Sequence, residues 1–542
     1  MIERAIPFSK QAGYSTLFHD FVDSGSNLSS FFPGNTAKRA IDEVISREYQ
    51  RQLMVDILTR QNRDWCAPQP VLDNIEKLKQ DNSIIVTAGQ QAVLFGGQYM
   101  ILLKAIGAIK KAEEIERQFN IPAVPLFWIA ADDHDFQEIS FVHMPNRRGE
   151  LEKLAVDVPK DNIQPPVGAI SFDTSMEREI EGLTESLPDN DFKQEALDLL
   201  TQHYSAGKGI VESFGSLMTE FLGKYGLVMF NPYDHKFKKA CAPVLSEIIS
   251  QTAEIKNSLA NRNNELKDAG YHLQVEKAKT AAYMFYHSPH RTPLHTTESG
   301  YSAGADDFSR DEVLHKIEAD ALQFSPDVIT RPLMQSYFFP VASFIGGPAE
   351  IAYFAQLRPL FDLFAIPAPE VCMRPSATLI EKKHEKTISE YQLSFSDITS
   401  DISRVIDRIV MSNFPSQIES KFNNGRNRAM RELREFKESL TSLNKGLDDA
   451  INGVEKKIDY QYSEIWKKVI SAHKKKNKLV REKLSRLHEN LYPYNTPAER
   501  VISPIYFVSR YGRGIIDFIF EQVSSNVNAH QILTLSEYHE KT

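Results

Sequence analysis

SIIVTAGQQAVLFGGQYMILLKAIGAIKKAEEIERQFNIPAVPLFWIAADDHDF, residues 83–136, decides how the rest of the chain reads. Ile84, Ile85 and Val86 form a short β-branched run that stops at Thr87-Ala88-Gly89, the pattern of a buried strand. Gly96-Gly97 precede a helical pattern that starts near Gln98 and runs to Phe119, where Asn120 and Pro122 end it. Val124 to Ala130 is apolar at nearly every position, as a parallel strand covered on both faces must be. Strand, helix and strand make a βαβ unit. In such sheets ligands gather at the carboxyl ends of the strands, and Asp132, Asp133, His134 and Asp135 follow directly on one. Neighbouring like charges are unfavourable unless water, a cation or a polar ligand relieves them. The loop is therefore either a solvated turn or the floor of a site.

Working outward, the first 80 residues are polar and helical in spacing. GLVMFNPYDH adds a strand, Gly226 to Phe230, that again ends on polar residues, Asn231, Asp234 and His235. Further on, Phe338 to Phe344 is strand-like, Gly346-Gly347-Pro348 opens a helix, and Ala368 to Met373 reads as a final strand. The expected division is a core in pieces (1–150, 221–240 and 326–385), with connective insertions at 151–220 and 241–325. The second insertion carries hairpin-like alternation in GYHLQVEKAKTAAYMFYH. Residues 386–495 are long-helical. Leu447, Ile451, Val454, Ile458, Tyr462, Ile465, Val469 and Ala472 space like a coiled-coil seam, and Pro415 and Gly425 favour a hairpin over one rod. Residues 496–542 regain core-like hydrophobicity and are expected to return to the sheet. The expected fold class is α/β, a parallel-sheet core with two insertions and a long-helical hairpin.

The formal net charge is −9, from 63 basic and 72 acidic residues. That balance argues against a nucleic acid partner, whose phosphates reward a basic face. Cys66, Cys241 and Cys372 are far apart and form no CxxC pair, so neither a disulfide framework nor a structural zinc is indicated. With no apolar run of about 18 residues and no signal-peptide core in MIERAIPFSKQAGYS, the expectation is a soluble cytoplasmic protein without a membrane partner.

Four stretches can carry chemistry. In GQQAVLFGGQYMILLK (residues 89–104), Gly96, Gly97 and Gln98 let backbone approach a ligand, and the helix start offers free N–H groups to an anion. The alternative is a plain helix entry with a glycine turn. In DDHD (132–135), a histidine among carboxylates can serve as general base or acid. Its neighbours can accept an ammonium or hold Mg2+ through water, or simply cap the next turn from Asp133 or Asp135. In SFIGGPAEIAYF (343–354), Pro348 suits the first helical position, and Glu350 and Tyr353 could face the same cleft as DDHD. In MRPSATLIEKKHEK (373–386), Arg374 follows a strand and Ser376 could cap a helix. The pair is a phosphate clamp or a structural end. Cys372 reads as core.

Taken together, TAGQQAVLFGG, PLFWIAADDHDFQEI, GLVMFNPYDHKFKK, GYHLQVE, FIGGPAEIAYFAQL, MRPSATLIEKK and PAERVISPIYFVSRYG resemble, in this order and over nearly the whole length, the cysteine ligases of bacillithiol biosynthesis (BshC). The resemblance implies a nucleotidyl-transferase-type Rossmann-like core with two connective insertions, and an antiparallel coiled coil that helps form a homodimer. It implies joining of the carboxyl group of L-cysteine to the amine of glucosaminyl-malate. The shared core of class I aminoacyl-tRNA synthetases and pantothenate synthetase further implies carboxylate activation by ATP with Mg2+. The HIGH and KMSKS signatures are absent as such; Phe95 to Gln98 and Arg374 to Ser376 take their places. The residues that match the family's motifs are Gln90, Gln91, Lys104, Asp133, His134, Asp135, Glu350 and Tyr353, with Gly89 in the same turn. The expected assignment puts an anion on the GGQ helix start and Arg374, and the base at His134, with Asp133 and Asp135 orienting it or gripping the cysteine ammonium.

Overall fold

A computed structural model of the chain describes residues 4–11, 13–23, 28–156, 165–287, 290–441, 448–525 and 528–538. Five parallel strands carry the core: β1 (Ile84–Gln90), β2 (Ala123–Ile129), β3 (Val228–Phe230), β4 (Val341–Gly346) and β5 (Glu370–Met373). Their spatial order is β5-β4-β1-β2-β3. Alternate side chains of a strand point to opposite faces, and here each face has its own core. Ile84, Val86, Ala88, Phe127 and Ile129 pack into one cluster with the helix α1 (Tyr99–Phe119). Ile85, Leu126 and Trp128 pack into the other with α2 (Arg331–Phe338) and α3 (Pro348–Leu363). Both faces are covered, which is why these strands read as continuous apolar runs.

The chain leaves β1 for β2 and β3 on one side, then returns to β4 and β5 on the other. The strand order reverses between β1 and β4, and a crevice opens at the carboxyl ends on either side of such a reversal. All the polar loops singled out above lie along this edge.

Local expectations shift in three places. The aromatic run Phe338-Phe339 closes α2, and the strand begins after Pro340, at Val341; an apolar run alone does not separate a helix end from a strand. The hairpin of the second insertion pairs Ala281–His287 with Arg291–Thr296, inside a five-stranded antiparallel sheet, and residues 271–280 form no strand. Ser376 caps no helix: it leads into the strand Ala377–Ile380, which pairs with Ala529–Thr534 near the C-terminus.

The described residues divide into two compact units, one within residues 3–380 and 497–542, the other within 381–496. In the second, the helices Ser416–Thr441 and Asp448–Lys476 run antiparallel, tied by Arg426 to Asp459, Arg434 to Glu455 and Lys437 to Asn452, with Phe422 against Tyr462 and Trp466. The expected seam is only half used. Ile451 is buried, but Val454 and Ile465 remain 44% and 52% exposed, because polar pairs occupy part of the interhelical face. Leu447 lies outside the described residues.

Candidate functional site

At the reversal point, Lys104 reaches back from α1 to the end of β1. Its Nζ donates to Gly89 O and Gln90 Oε1, both at 2.9 Å, and pairs with Glu350 Oε2 at 2.6 Å. Burial lowers the Lys104 pKa, and the Glu350 carboxylate opposes that shift. The same Glu350 oxygen accepts Gly347 N–H at 2.8 Å, closing the first turn of α3. Gly89 has no room for a side chain: a Cβ there would lie 2.8 Å from Trp128 O.

One residue that the sequence reading passed over stands beside this pair. Arg331, at the start of α2, donates to Gln335 Oε1 at 2.9 Å and to the Tyr353 hydroxyl at 3.3 Å. Its Cζ lies 5.9 Å from the ring centroids of both Trp128 and Phe344, within cation–π range. A guanidinium carries five N–H donors; the remaining ones of Arg331 meet no carboxylate among the described residues. Burial raises the pKa of Tyr353 to about 12, so it is a neutral phenol there.

The DDHD loop follows β2. Asp132 pairs with the fully buried Lys238, Oδ2 to Nζ 2.7 Å, while Lys238 also donates to Phe324 O. Asp133 accepts from Gln91 Nε2 at 2.8 Å and from the backbone N–H of His134 at 2.8 Å. Burial alone would raise the Asp133 pKa, but the Gln91 hydrogen bond and the Arg291 charge outweigh it and hold the carboxyl below its usual value. Gln91 also donates to Glu138. Asp135 caps the short helix Phe136–Ile139 by accepting Glu138 N–H, so the capping role is real for that residue. Arg291, from the hairpin of the second insertion, lies 3.0 Å from His134 Nδ1.

Two expected anion holders are otherwise engaged. At the α1 start, Gly96 N–H donates to the Tyr204 hydroxyl, Gly97 N–H to Leu94 O and Tyr99 N–H to Ile502 O. Gly96 and Gly97 are buried, with Gln98 as N-cap. These three amides are already used within the protein and do not cradle a phosphate. Arg374 is buried on Glu499, Nη2 to Oε1 2.6 Å, and its other terminal nitrogen donates to Pro375 O. Ser376 donates to the same Glu499 oxygen, and Ala377 N–H to the other. Arg374 and Ser376 are thus a structural knot rather than a phosphate clamp. Nor do the DDHD carboxylates fit a Mg2+ site, since Lys238, Arg291 and Gln91 already offset Asp132 and Asp133. Among the described residues no three His, Cys, Asp or Glu side chains converge as a metal-binding group.

The structure therefore gathers Gly89, Gln90, Lys104, Glu350 and Tyr353 at the β1–β4 crevice, and Gln91, Asp133, His134 and Asp135 at the end of β2. It engages the Gly96 and Gly97 amides, Arg374 and Ser376 in contacts within the protein, while Gln98 stands half-buried at the α1 N-cap. Arg291, Arg331, Lys238 and Glu499 join from segments distant in sequence. No local motif marks them.

Residues 1–375 match the family model described as Bacillithiol biosynthesis BshC, N-terminal Rossmann-like domain, and residues 377–535 the corresponding C-terminal coiled-coil domain. The chain belongs to the BshC family. A relative from Koribacter versatilis, named "Putative cysteine ligase BshC", is 27% identical, covering 96% of this chain and 98% of its own. Relatives of the same name from Salinibacter ruber and Bacillus cereus are each 26% identical, covering 97% and 95% of this chain. Both parts of the BshC architecture are present, and among the described residues no helix is long and apolar enough to cross a membrane.

Proposed function

We propose that this chain performs amide ligation in bacillithiol formation, joining the carboxyl group of L-cysteine to the amine of glucosaminyl-malate in the cytoplasm. The observation that carries this reading is full-length BshC membership together with a polar cluster at the carboxyl edge of the sheet, where such folds bind ligands. A carboxylate does not acylate an amine in water unaided. The enzyme must orient two polar substrates, accept a proton from the amine and stabilise developing charge. Arg331, the crevice guanidinium without a carboxylate partner among the described residues, takes a malyl carboxylate. Asp135, exposed and with one oxygen outside the helix cap, faces the amine or ammonium. The Lys104–Glu350 pair fixes the ends of β1 and β4 against each other.

Homodimerisation through the helical unit is part of the proposal, because Val454, Ile465 and Phe436 leave apolar surface on its helices. Light scattering of the purified chain reads it directly. The activity test is a mass-resolved assay with cysteine and glucosaminyl-malate, with and without ATP and Mg2+. Product bearing the combined mass is expected, and the ATP arms decide whether activation belongs to this chain. Binding of substrate without product under every condition would instead make the chain a ligand-binding partner in the pathway.

A further inference from the structure

Arginine is a donor only and stays charged in proteins. Arg291 sits on the strand Arg291–Thr296 with its side chain 9% exposed, its guanidinium stacked 3.6 Å from the Phe285 ring centroid. Its Nε donates to Ser325 Oγ at 3.3 Å, and its Nη1 lies 3.0 Å from His134 Nδ1. A donor this close requires His134 Nδ1 to be an acceptor. The ring is then neutral with its proton on Nε2, since a neutral imidazole has one donor and one acceptor nitrogen. A protonated ring would oppose two donors beside a full positive charge.

The surroundings of the ring agree. Asp133 Oδ1, the one carboxylate oxygen near Nδ1, is farther away at 3.5 Å and also accepts the His134 backbone N–H. Arg291 shares that carboxylate at 3.6 Å. From the neighbouring strand Ala281–His287, Phe285 faces the ring, and His287 donates to or accepts from Ser325. From the helix His235–Ser250, Lys238 is paired with Asp132. The imidazole side chain is 34% exposed, and its Nε2 has no partner among the described residues. The open nitrogen is therefore the protonated one.

We propose that Arg291 holds His134 as the neutral Nε2–H tautomer, so that His134 donates a hydrogen bond to the acyl carbonyl oxygen as it gains negative charge and does not act as the base. This rests on the ligase reading for the identity of that oxygen. The amine nitrogen bonds to the acyl carbon of a cysteinyl mixed phosphoric anhydride as the carbonyl π pair moves onto its oxygen, and the pair returns as the phosphate group leaves with its bonding electrons. The proton of the attacking amine goes to a carboxylate of the loop, and no proton leaves His134. The second insertion thereby contributes a positioning residue, Arg291, to a site otherwise built on β1 and β2. It also sets aside the role of base expected for His134 from sequence.

The test separates this proposal from the ligase reading because its first arm needs no turnover. In the full chain labelled with 15N-histidine, with His134 assigned by its loss in His134→Gln, long-range proton–nitrogen spectra should show Nε2 protonated and Nδ1 bare across neutral pH. In Arg291→Ala, with the donor to Nδ1 gone, the form protonated on Nδ1 should appear in the same spectra. In the activity arm, losing one oxyanion donor costs on the order of 10²–10³ in kcat, so His134→Ala should fall by that factor. His134→Gln, whose side-chain amide still donates, should recover at least tenfold of it. A proton on Nδ1 in the wild-type chain would overturn the tautomer. Equal inactivity of the Gln and Ala variants, with an acidic limb of kcat/KM that disappears in both, would make His134 the base.

Discussion

Replacing Glu499 by leucine should destabilise the chain more than any surface change, and its cost can be worked out from what the carboxylate holds. Glu499 is fully buried and accepts from Arg374 Nη2 at 2.6 Å, Ser376 Oγ at 2.8 Å and Ala377 N at 2.8 Å. Removing it strands a buried guanidinium, and breaking a buried pair from one side costs about 3–5 kcal/mol. Its unit comprises residues 3–380 and 497–542, roughly 400 residues. At about 2.1 cal/mol/K per residue, its unfolding entropy is about 0.9 kcal/mol/K, so the loss corresponds to roughly 3–6 °C in Tm. Arg374→Met alone leaves the carboxylate stranded and should cost a similar amount. In the double variant neither charge is left behind, so it should be no worse than the worse single, a coupling above about 2 kcal/mol. Scanning calorimetry on the four proteins measures this. Additive losses, or a Glu499→Leu shift under about 1 °C, would refute the knot as described.

Other consequences are narrower. His530 is fully buried, and burial, opposed by Glu499 and assisted by Arg374, lowers its pKa to about 4. Its stabilising contribution is therefore complete above the unfolded value of 6.5 and lost as pH falls from 6.5 toward 4, by up to about 3 kcal/mol; Tm measured across that window should drop, and less steeply in His530→Asn. Gly97 has φ +70°, and a Cβ there would lie 2.5 Å from Ile101 Cδ1, so Gly97→Ala should cost at least the ~1–2 kcal/mol of a left-handed residue, read as a lower Tm. Arg331→Met should raise KM for glucosaminyl-malate about 10–100-fold, the worth of a charge-assisted hydrogen bond of about 1.5–3 kcal/mol; an unchanged KM would remove Arg331 from the site.

The core was legible because its signals are local. The Gly96-Gly97 turn, the helix stop at Asn120, whose φ of +53° is left-handed, and the all-apolar Ala123–Ile129 each follow from backbone sterics or burial on both sheet faces. The edge positions of DDHD and Gly346-Gly347 followed from the strands. What stayed hidden was the occupancy of groups that look available in sequence. The Gly96 and Tyr99 amides are taken by Tyr204 and Ile502, and the Arg374 charge by Glu499, partners more than 100 residues away. The same long-range closure brings Arg291 and Arg331 into the site. The coiled-coil seam misled for a related reason: apolar spacing locates a stripe, but Arg426–Asp459 and Lys437–Asn452 show that polar pairs can hold part of an interhelical face.

The most direct test of the account is a crystal structure of the chain with glucosaminyl-malate. A malyl carboxylate is expected on the Arg331 guanidinium at the carboxyl ends of β1 and β4, with the sugar amine turned toward Asp135. Glucosaminyl-malate bound elsewhere on the chain, with Arg331 touching none of its oxygens, would contradict it.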